Sequence, residues 1–561
     1  MTDIGRWIEA HTLDDSYDPH ILPIVQAVRA LPECSATDLH DILRRCPKPA
    51  GGAFSKNHIV QSYRRMCAAG VLPFERETLR RLQMKPTRTI SGVTPVTVLT
   101  KPYPCPGKCI FCPTDVRMPK SYLHDEPGAM RAEQHQFDPF AQTAARIETF
   151  ESLGHSAAKV ELLILGGTWS SYRRDYQEWF IQRCLDAMNG CDSSSMEEAQ
   201  RWNETAAHRN VGLVVETRPD HVTWDELRWL RRLGVTKVQM GAQSLDDQVL
   251  EINQRGHSVE ETRQAVTLLR AAGFKIALHW MPNLLGATPE ADRVDFRKLW
   301  DDEALRPDEL KIYPCSLLAN AELYLNWQRG EYHPYADDEL TELIVECKRH
   351  VPRYCRINRV IRDIPASNVV AGSTRSNLRQ DVHRVMRERG LRCHCLRCRE
   401  VRGTSVDADE LRLAVETYAT RVGMEHFVSL VTDEDRVAGF VRLSLPSRRG
   451  RGAGGEGELP EIAHAGMIRE LHVYGPSLEL GDGSVGEAQH IGLGTRLLAQ
   501  AERMARAAGY GKLAVIAAIG TREYYRKRGF AVEGLYMTKV IPSTPVAREA
   551  VPSVDEKLHG L

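Results

Sequence analysis

No uninterrupted apolar run in this chain approaches the ~20 residues that span a bilayer, and no apolar stretch follows its opening residues 1–6. These absences predict a cytoplasmic protein with no membrane partner. Net charge is also lacking, since Lys+Arg and Asp+Glu both number 74, so any surface for a polyanion must be local. The 14 cysteines do not form the even framework that staples small secreted domains. They fall in tight clusters, which in a reducing compartment points to metal binding before disulfides. At 561 residues, 42% hydrophobic and 26% charged, the chain can bury several cores, so two large domains plus a smaller one are expected.

Residues 1–85 repeat apolar positions at spacings of three and four, in 21–28 and 38–43, and predict a small helical domain. Between positions 44 and 88 stand Arg44, Arg45, Lys48, Lys56, Arg64, Arg65, Arg76, Arg80, Arg81, Lys85 and Arg88 against Glu75 and Glu77 alone. Scattered charge usually means solvated helix faces, but this imbalance in a neutral chain favours phosphate contact. From Val96 onward, short β-type runs (96–99, 160–165, 211–215, 237–240, 275–278, 309–313) alternate with amphipathic helices. That alternation predicts an α/β domain over 86–390, a full or partial β/α barrel with chemistry at the C-terminal strand ends. A cysteine-rich linker (391–404), an α+β domain (405–545) and a tail (546–561) complete the plan. The Gly/Arg-rich stretch 447–458 is expected to be a mobile loop.

The chemistry begins at Cys105, Cys109 and Cys112, a C-x3-C-x2-C run just after the strand that opens the barrel. One loop supplying three thiolates suits an iron–sulfur cluster with one iron left open. A zinc knuckle would want a fourth close ligand, and none follows before His124. The pattern, with Phe111 before the last cysteine, resembles the radical S-adenosylmethionine (SAM) superfamily, in which the open iron binds SAM. Gly166, Gly167 and Thr168 end the next strand, where backbone can approach a ligand closely. Arg218 either contacts SAM or forms a structural ion pair. His257 and His279 receive no role.

A second site follows the strand 467–474, where Gln489, Gly492, Leu493, Gly494 and Thr495 turn into an amphipathic helix. Backbone N–H groups at such a helix start favour an anion. The strand, turn and helix order resembles GNAT acetyltransferases, and Tyr524 and Tyr525 follow on the next helix. Adjacent helical residues point about 100° apart, so one of the two tyrosines can face a ligand while the other packs.

Taken together with segments 152–160, 216–220, 255–257, 310–314, 362–365, 469–474 and 520–527, the chain resembles the catalytic subunit of Elongator in a standalone bacterial form. The resemblance implies a radical SAM partial barrel, a GNAT-like acetyl-CoA domain and a small helical N-terminal domain. It also implies transfer of a carboxymethyl group to C5 of the wobble uridine of tRNA. Cys105, Cys109 and Cys112 would hold a [4Fe-4S] cluster; Lys159, Glu470, Leu471, His472, Val473, Leu493, Gly494, Thr495 and Tyr524 would bind acetyl-CoA. Lys159, Tyr524 and Tyr525 are the candidate catalytic side chains. Eukaryotic members separate the first two cysteines by nine residues, whereas three stand here.

Partners expected on this reading are the tRNA anticodon stem-loop and an electron donor, with the protein a monomer or homodimer. Lys101, Lys108 and Lys120 extend the cationic track. A further triad, Cys393, Cys395 and Cys398, predicts a zinc site that pins the barrel to the following domain, with Cys315 as the fourth ligand and Cys347 or Cys355 as alternatives. The competing readings are a protein lysine acetyltransferase with a structural iron–sulfur cluster, in which Glu470 is the obvious general base, and a tRNA-binding scaffold.

Overall fold

The computed structural model describes residues 15–49, 51–83, 89, 91–402, 406–447, 459–475 and 489–542. Lys85, Arg88, residues 448–458 and the tail 546–561 lie outside the described residues, as does the side chain of Gln489. Four helices, Asp18–Ala30, Ala36–Arg45, Lys56–Ala68 and Arg76–Leu82, enclose a separate N-terminal core around Ile21, Val25, Ile59 and Tyr63. Ser35 caps the second helix with a full capping box to Asp38. Several of the basic residues are spent inside this domain: Arg65 pairs with Asp18, Arg80 and Arg81 with Glu77, and Arg81 also donates to the carbonyls of Val28 and Leu31. Arg44 and Arg45 stand exposed.

The first large sheet contains β1 (Thr94–Leu99), β2 (Lys159–Leu165), β3 (Arg209–Thr217), β4 (Lys237–Gln243), β5 (Lys275–Trp280) and β6 (Glu309–Ile312). After β7 (Leu317–Leu318), which pairs with β9 (Val369–Ala371), the sheet is completed by β8 (Arg356–Arg359). All seven strands run parallel in chain order, giving the expected partial β/α barrel. β8 went unread in the sequence because Arg356, Asn358 and Arg359 make it look like a loop.

Side chains alternate along these strands. Val160, Leu162, Val238, Met240, Ile276, Leu278, Leu310, Ile312 and Ile357 enter the apolar core shared with the helices. Their neighbours face the barrel interior and, apart from Leu163 and Ala277, are mostly polar. Lys237 bonds Glu161 (2.8 Å) and Glu309 (3.2 Å), Asn358 donates to Glu309 (2.5 Å), His279 meets Gln239 (3.0 Å), and Lys311 meets Glu216 (3.3 Å). A filled β/α barrel packs branched apolar residues there; this one keeps a ladder of exchangeable polar groups.

The second domain is built on β10 (Arg412–Ala419), β11 (Gly423–Val431), β12 (Val437–Pro446), β13 (Gly466–Val473), β14 (Lys512–Val515), β15 (Ala531–Glu533) and β16 (Tyr536–Val540), in the order β10-β11-β12-β13-β14-β16-β15. Every pairing is antiparallel except β13 with β14. That parallel pair matches only Gly466–Ile468 with Leu513–Val515. At Arg469 a bulge interrupts β13, since Arg442 opposes Glu470 while Leu443 opposes Ile468. Bulges bend a strand, and beyond this one β13 and β14 part.

The two domains meet through buried charge. Asp308, just before β6, accepts from Arg469 (2.6 and 2.7 Å) and from the Ile276 N–H (2.9 Å), and Arg442 lies 3.5 Å away. Arg469 also binds Glu425, and Lys275 reaches Glu470 at 2.6 Å. Burial alone would raise the pKa of Asp308, but the guanidiniums of Arg469 and Arg442 outweigh it and hold the carboxyl far below its ordinary 3.8. A depressed carboxylate contributes stability above its unfolded pKa and loses it as pH falls through the folded one. This contribution is therefore complete above about pH 4 and survives well into acid.

Removing one member of a buried pair typically costs about 3–5 kcal/mol, because the partner stays buried and uncompensated. Asp308→Asn should lower the thermal midpoint of the full chain by several degrees, in a scan at pH 7. An unchanged midpoint would show that the domains do not depend on this contact.

Candidate active site

Loop residues 105–112 follow β1 at the C-terminal mouth of the barrel. Its backbone is fixed by the Ile110 N–H on Asn253 O (3.2 Å) and by the Leu323 N–H on Ile110 O (2.9 Å). Arg255 sends Nη1 to Cys109 Sγ (3.5 Å) and Nη2 to Gly241 O (2.6 Å). Arg218 bonds Asp220 (2.9 Å) and passes so close to Gly107 that a Cβ there would lie 2.4 Å from its Nη1. The ion-pair reading of Arg218 therefore holds, while the same side chain also faces the cysteine loop.

Arg218 Nη1 and Arg255 Nε are buried without a hydrogen-bond partner among the described residues. The Cys109 thiol is pushed down to about 5, first by its hydrogen bond with Cys112 and then, against burial, by Arg255 and Arg218; the Cys112 thiol is pushed up. Cys105 Sγ lies 3.7 Å from Thr168 Oγ1 and accepts the Gly107 N–H at 3.4 Å. Three thiols beside two guanidiniums with idle buried nitrogens fit an anionic thiolate-bound cluster. Gly166 has φ +139°, and a Cβ there would fall 1.9 Å from Thr100 Oγ1. Packing against Thr100 thus demands this glycine, and the turn it makes with Gly167 delivers Thr168 to Cys105. His257 Nε2 rests on Gly241 O (3.2 Å). Arg255 carried no role in the sequence reading; its signal was the Arg255–His257 segment.

A cavity of about 200 Å³ opens at the opposite, N-terminal mouth. One wall is the lumen ladder, with Glu161, Lys237, Lys275, Glu309 and Arg356; the other is the parting of β13 and β14, with Leu471, His472, Val515, Ile516 and Tyr525. The barrel's chemistry was expected at its C-terminal strand ends, where the cysteine loop stands; the cavity forms at the second mouth because the Asp308 contact docks the second domain there. From Lys237 to Gly241 is four residues of β4, roughly 13 Å at ~3.3 Å per residue. The cysteine loop and this cavity thus lie at opposite ends of one barrel interior, with buried and part-buried, hydrogen-bonded side chains such as Gln239, His279, Glu216 and Lys311 between them.

Tyr525 is buried on the cavity wall, and burial keeps its phenol protonated. Tyr524 packs instead on the helix Gln489–Ala507, where a Cβ on Gly494 would lie 2.5 Å from its hydroxyl. Arg528, unassigned in the sequence reading, stacks on Tyr524 at 3.5 Å and bonds Thr495 Oγ1 at 3.1 Å. Leu493 is buried and Gly492 open. Lys159 starts β2 opposite Arg209, outside the cavity wall, and burial followed by Arg209 lowers its pKa. Glu470 is held by Lys275 (2.6 Å) and Arg442 (2.8 Å), which outweigh burial and keep it ionised. A carboxylate so committed makes a poor general base, contrary to the role given to Glu470 in the acetyltransferase reading.

Cys393, Cys395 and Cys398 bring their sulfurs within 4.8 Å of one another, close to the ~3.8 Å edge of a tetrahedral site with 2.3 Å zinc–sulfur bonds. Cys315 is not the fourth ligand. It lies at the other mouth, its N–H on Pro282 O and its side chain packed with Cys109, Phe111 and Tyr332. Cys347 and Cys355 stay outside the group as well. His383 also lies outside the 4.8 Å group but stands beside it and is the candidate fourth donor, with Nε2 3.9 Å from Cys398 Sγ and its imidazole kept neutral by a pKa pushed down to about 4, chiefly by burial. It was missed because only cysteines were considered. Lys348 Nζ is buried without a hydrogen-bond partner among the described residues, and the Cys395 thiol is pushed well down, first by hydrogen bonds from Cys393 and Cys398 and then, against burial, by Lys348.

A model of the radical SAM superfamily matches residues 103–297, and one of the radical SAM C-terminal domain matches residues 307–388. The chain is 43% identical over 476 residues to the tRNA uridine(34) acetyltransferase of Methanocaldococcus jannaschii, covering 82% of this chain and 86% of that protein. It is 35% identical to Elongator complex protein 3 of Homo sapiens, covering 84% and 89%. The structure of archaeal Methanocaldococcus infernus Elp3 with residues 1–46 deleted superposes with a TM-score of 0.69 at 39% identity, over 81% of this chain and 100% of that one.

Metal analysis checks the fourth donor. His383→Ala and Cys395→Ser should each release the ion to a competing chelator that leaves the wild-type protein loaded. Cys315→Ser should retain it; loss from Cys315→Ser with retention in His383→Ala would reverse the assignment.

Proposed function

Because the chain belongs to the Elongator complex protein 3 family of radical SAM proteins, we propose that it carboxymethylates C5 of the wobble uridine of tRNA with acetyl-CoA as carbon donor. The names of its relatives support tRNA uridine 34 as the target. The observation that supports the choice of donor and product is that the cysteine loop and the cavity at the β13–β14 parting stand at the two ends of one polar barrel interior. Uridine C5 is a poor nucleophile toward a thioester, so a carbon radical made at the acetyl methyl is the chemically reasonable reagent.

The [4Fe-4S] cluster and SAM that go with a radical SAM domain supply a 5′-deoxyadenosyl radical able to take hydrogen from that methyl. The protein's own groups bind and orient. Cys105, Cys109 and Cys112 would ligate the cluster, with Arg218 and Arg255 offsetting its negative charge. Beyond Ile468, the edge of β13 that faces β14 has parted from its neighbour; an extended pantetheine arm, which carries two amides, can pair there as an added strand. Leu493, Gly494 and Thr495 lie inside the helix Gln489–Ala507, where their N–H groups are taken up; the N–H groups of its first turn, with Arg528, would take the pyrophosphate. Arg44 and Arg45 on the N-terminal domain suit tRNA phosphates, and the uridine would enter unstacked at the C-terminal mouth. Zinc held by Cys393, Cys395, Cys398 and His383 ties barrel to second domain, where Arg399 and Arg353 both clasp Asp435. The lysine acetyltransferase alternative loses the base assigned to it, Glu470, and gives the radical SAM barrel no part in the reaction.

Anaerobic turnover of the reconstituted protein with reductant, SAM, tRNA and methyl-deuterated acetyl-CoA is the test. Deuterium should appear in 5′-deoxyadenosine together with 5-carboxymethyluridine. Acetyl-lysine formed without SAM turnover would replace this reading by the acetyltransferase one.

A further inference from the structure

Building on the acetyl-CoA reading, we propose that His472 is the general base that hydrolyses the acyl thioester held at the β13–β14 parting. Product formation demands such a group, because an acyl-CoA joined to uridine becomes a carboxylate only when water replaces the thiol. His472 and Glu470 are two residues apart on β13 and so share one face. Both line the basal cavity. Glu470 is committed to Lys275 and Arg442, which leaves His472 as the free base on that wall.

Its Nε2 is buried and hydrogen-bonds no described protein atom. The ring is held between Phe440 (5.8 Å) and Tyr474 (4.6 Å), so its direction is set by packing. Burial, with Lys275 and Arg356 nearby, lowers the imidazole pKa to about 4 although Glu470 opposes this, so the ring is neutral and able to accept a proton at neutral pH. Water adds to the thioester carbonyl as Nε2 takes its proton. The carbon–sulfur bond then breaks, and the imidazolium returns the proton to the leaving thiolate. One acyl thioester and one water give one carboxylic acid and one free CoA, with no oxidant or reductant consumed. The Tyr525 hydroxyl, on the same cavity wall, remains a donor for the carbonyl oxygen.

The experiment is the same anaerobic turnover, run with wild type, His472→Gln and His472→Ala, and read for 5′-deoxyadenosine, free CoA and the state of the uridine. General-base loss typically costs 10²–10⁴-fold. His472→Gln should slow CoA release at least about 100-fold through kcat with KM little changed, keep 5′-deoxyadenosine formation near wild type, and accumulate a tRNA-linked CoA thioester cleavable by hydroxylamine. Added imidazole should restore release in His472→Ala, which a packing role would not allow. CoA release at the wild-type rate in His472→Gln, a parallel fall of 5′-deoxyadenosine and CoA, or no imidazole rescue would each overturn the proposal. Failure of wild type itself to move deuterium into 5′-deoxyadenosine would instead sink the carboxymethylation reading. His472 would then be judged on release of CoA from acetyl-CoA alone, where an undiminished rate in His472→Gln overturns it.

Discussion

The structure depends on one carboxylate. Asp308 sits where β6 begins, and the two arginines that neutralise it, Arg469 and Arg442, belong to adjacent strands of the other domain. Buried ion pairs seldom add much net stability, because desolvation offsets the attraction. What they do is penalise every arrangement in which one partner is left alone. Here that penalty fixes the second sheet against the N-terminal mouth of the barrel, at the point where β13 bulges and leaves β14. The bulge residue is Arg469 itself, so the contact that joins the domains also adjoins the one that opens the cavity.

Position then dictates chemistry. A barrel whose lumen was packed with branched apolar residues would isolate its two mouths. The alternation in 275–280 and 309–312 sends Ile, Leu and Trp outward to the helices and Lys275, His279, Glu309 and Lys311 inward. Read in the sequence, those polar positions look like the solvent face of a half-buried strand. Their true environment is a largely buried, mutually hydrogen-bonded barrel interior that meets a cavity at one mouth, a distinction that period-two alternation cannot make because it reports which residues share a face and not what that face meets.

Much of the remaining plan was legible for definite reasons. Three cysteines within eight residues and the strand–helix alternation are local patterns, and the alternation came out as the expected parallel sheet; the glycine turn expected at 489–495 is instead part of the helix Gln489–Ala507. Groups recruited from far along the chain were not legible. Arg255 reaches Cys109 across 146 positions, His383 approaches Cys398 from a separate helix, and Arg528 meets Thr495 from the turn after the helix Arg522–Arg526. Cys315 was misassigned for the same reason: lying just past β6 places it at a mouth of the barrel, but at the mouth opposite the zinc triad. Strand direction, which decides between the two mouths, is set by the whole sheet.

The polar ladder also bears on how an acyl arm could cross the lumen. Lys237 and Lys275 both bind Glu309, and Lys275 is further shared with Glu470, so each lysine has an alternative partner within the same group. Exchanging one such contact for another leaves no charge uncompensated, unlike the loss of Asp308, which has only its arginines and backbone N–H. A ligand carbonyl entering from the cavity can therefore take a lysine N–H while the displaced carboxylate keeps its second cation. By this comparison the domain contact is rigid and the ladder above it adaptable, although both are built from the same residue types. The difference lies in redundancy of partners, which is what a passage between two chemical centres needs and a structural joint does not.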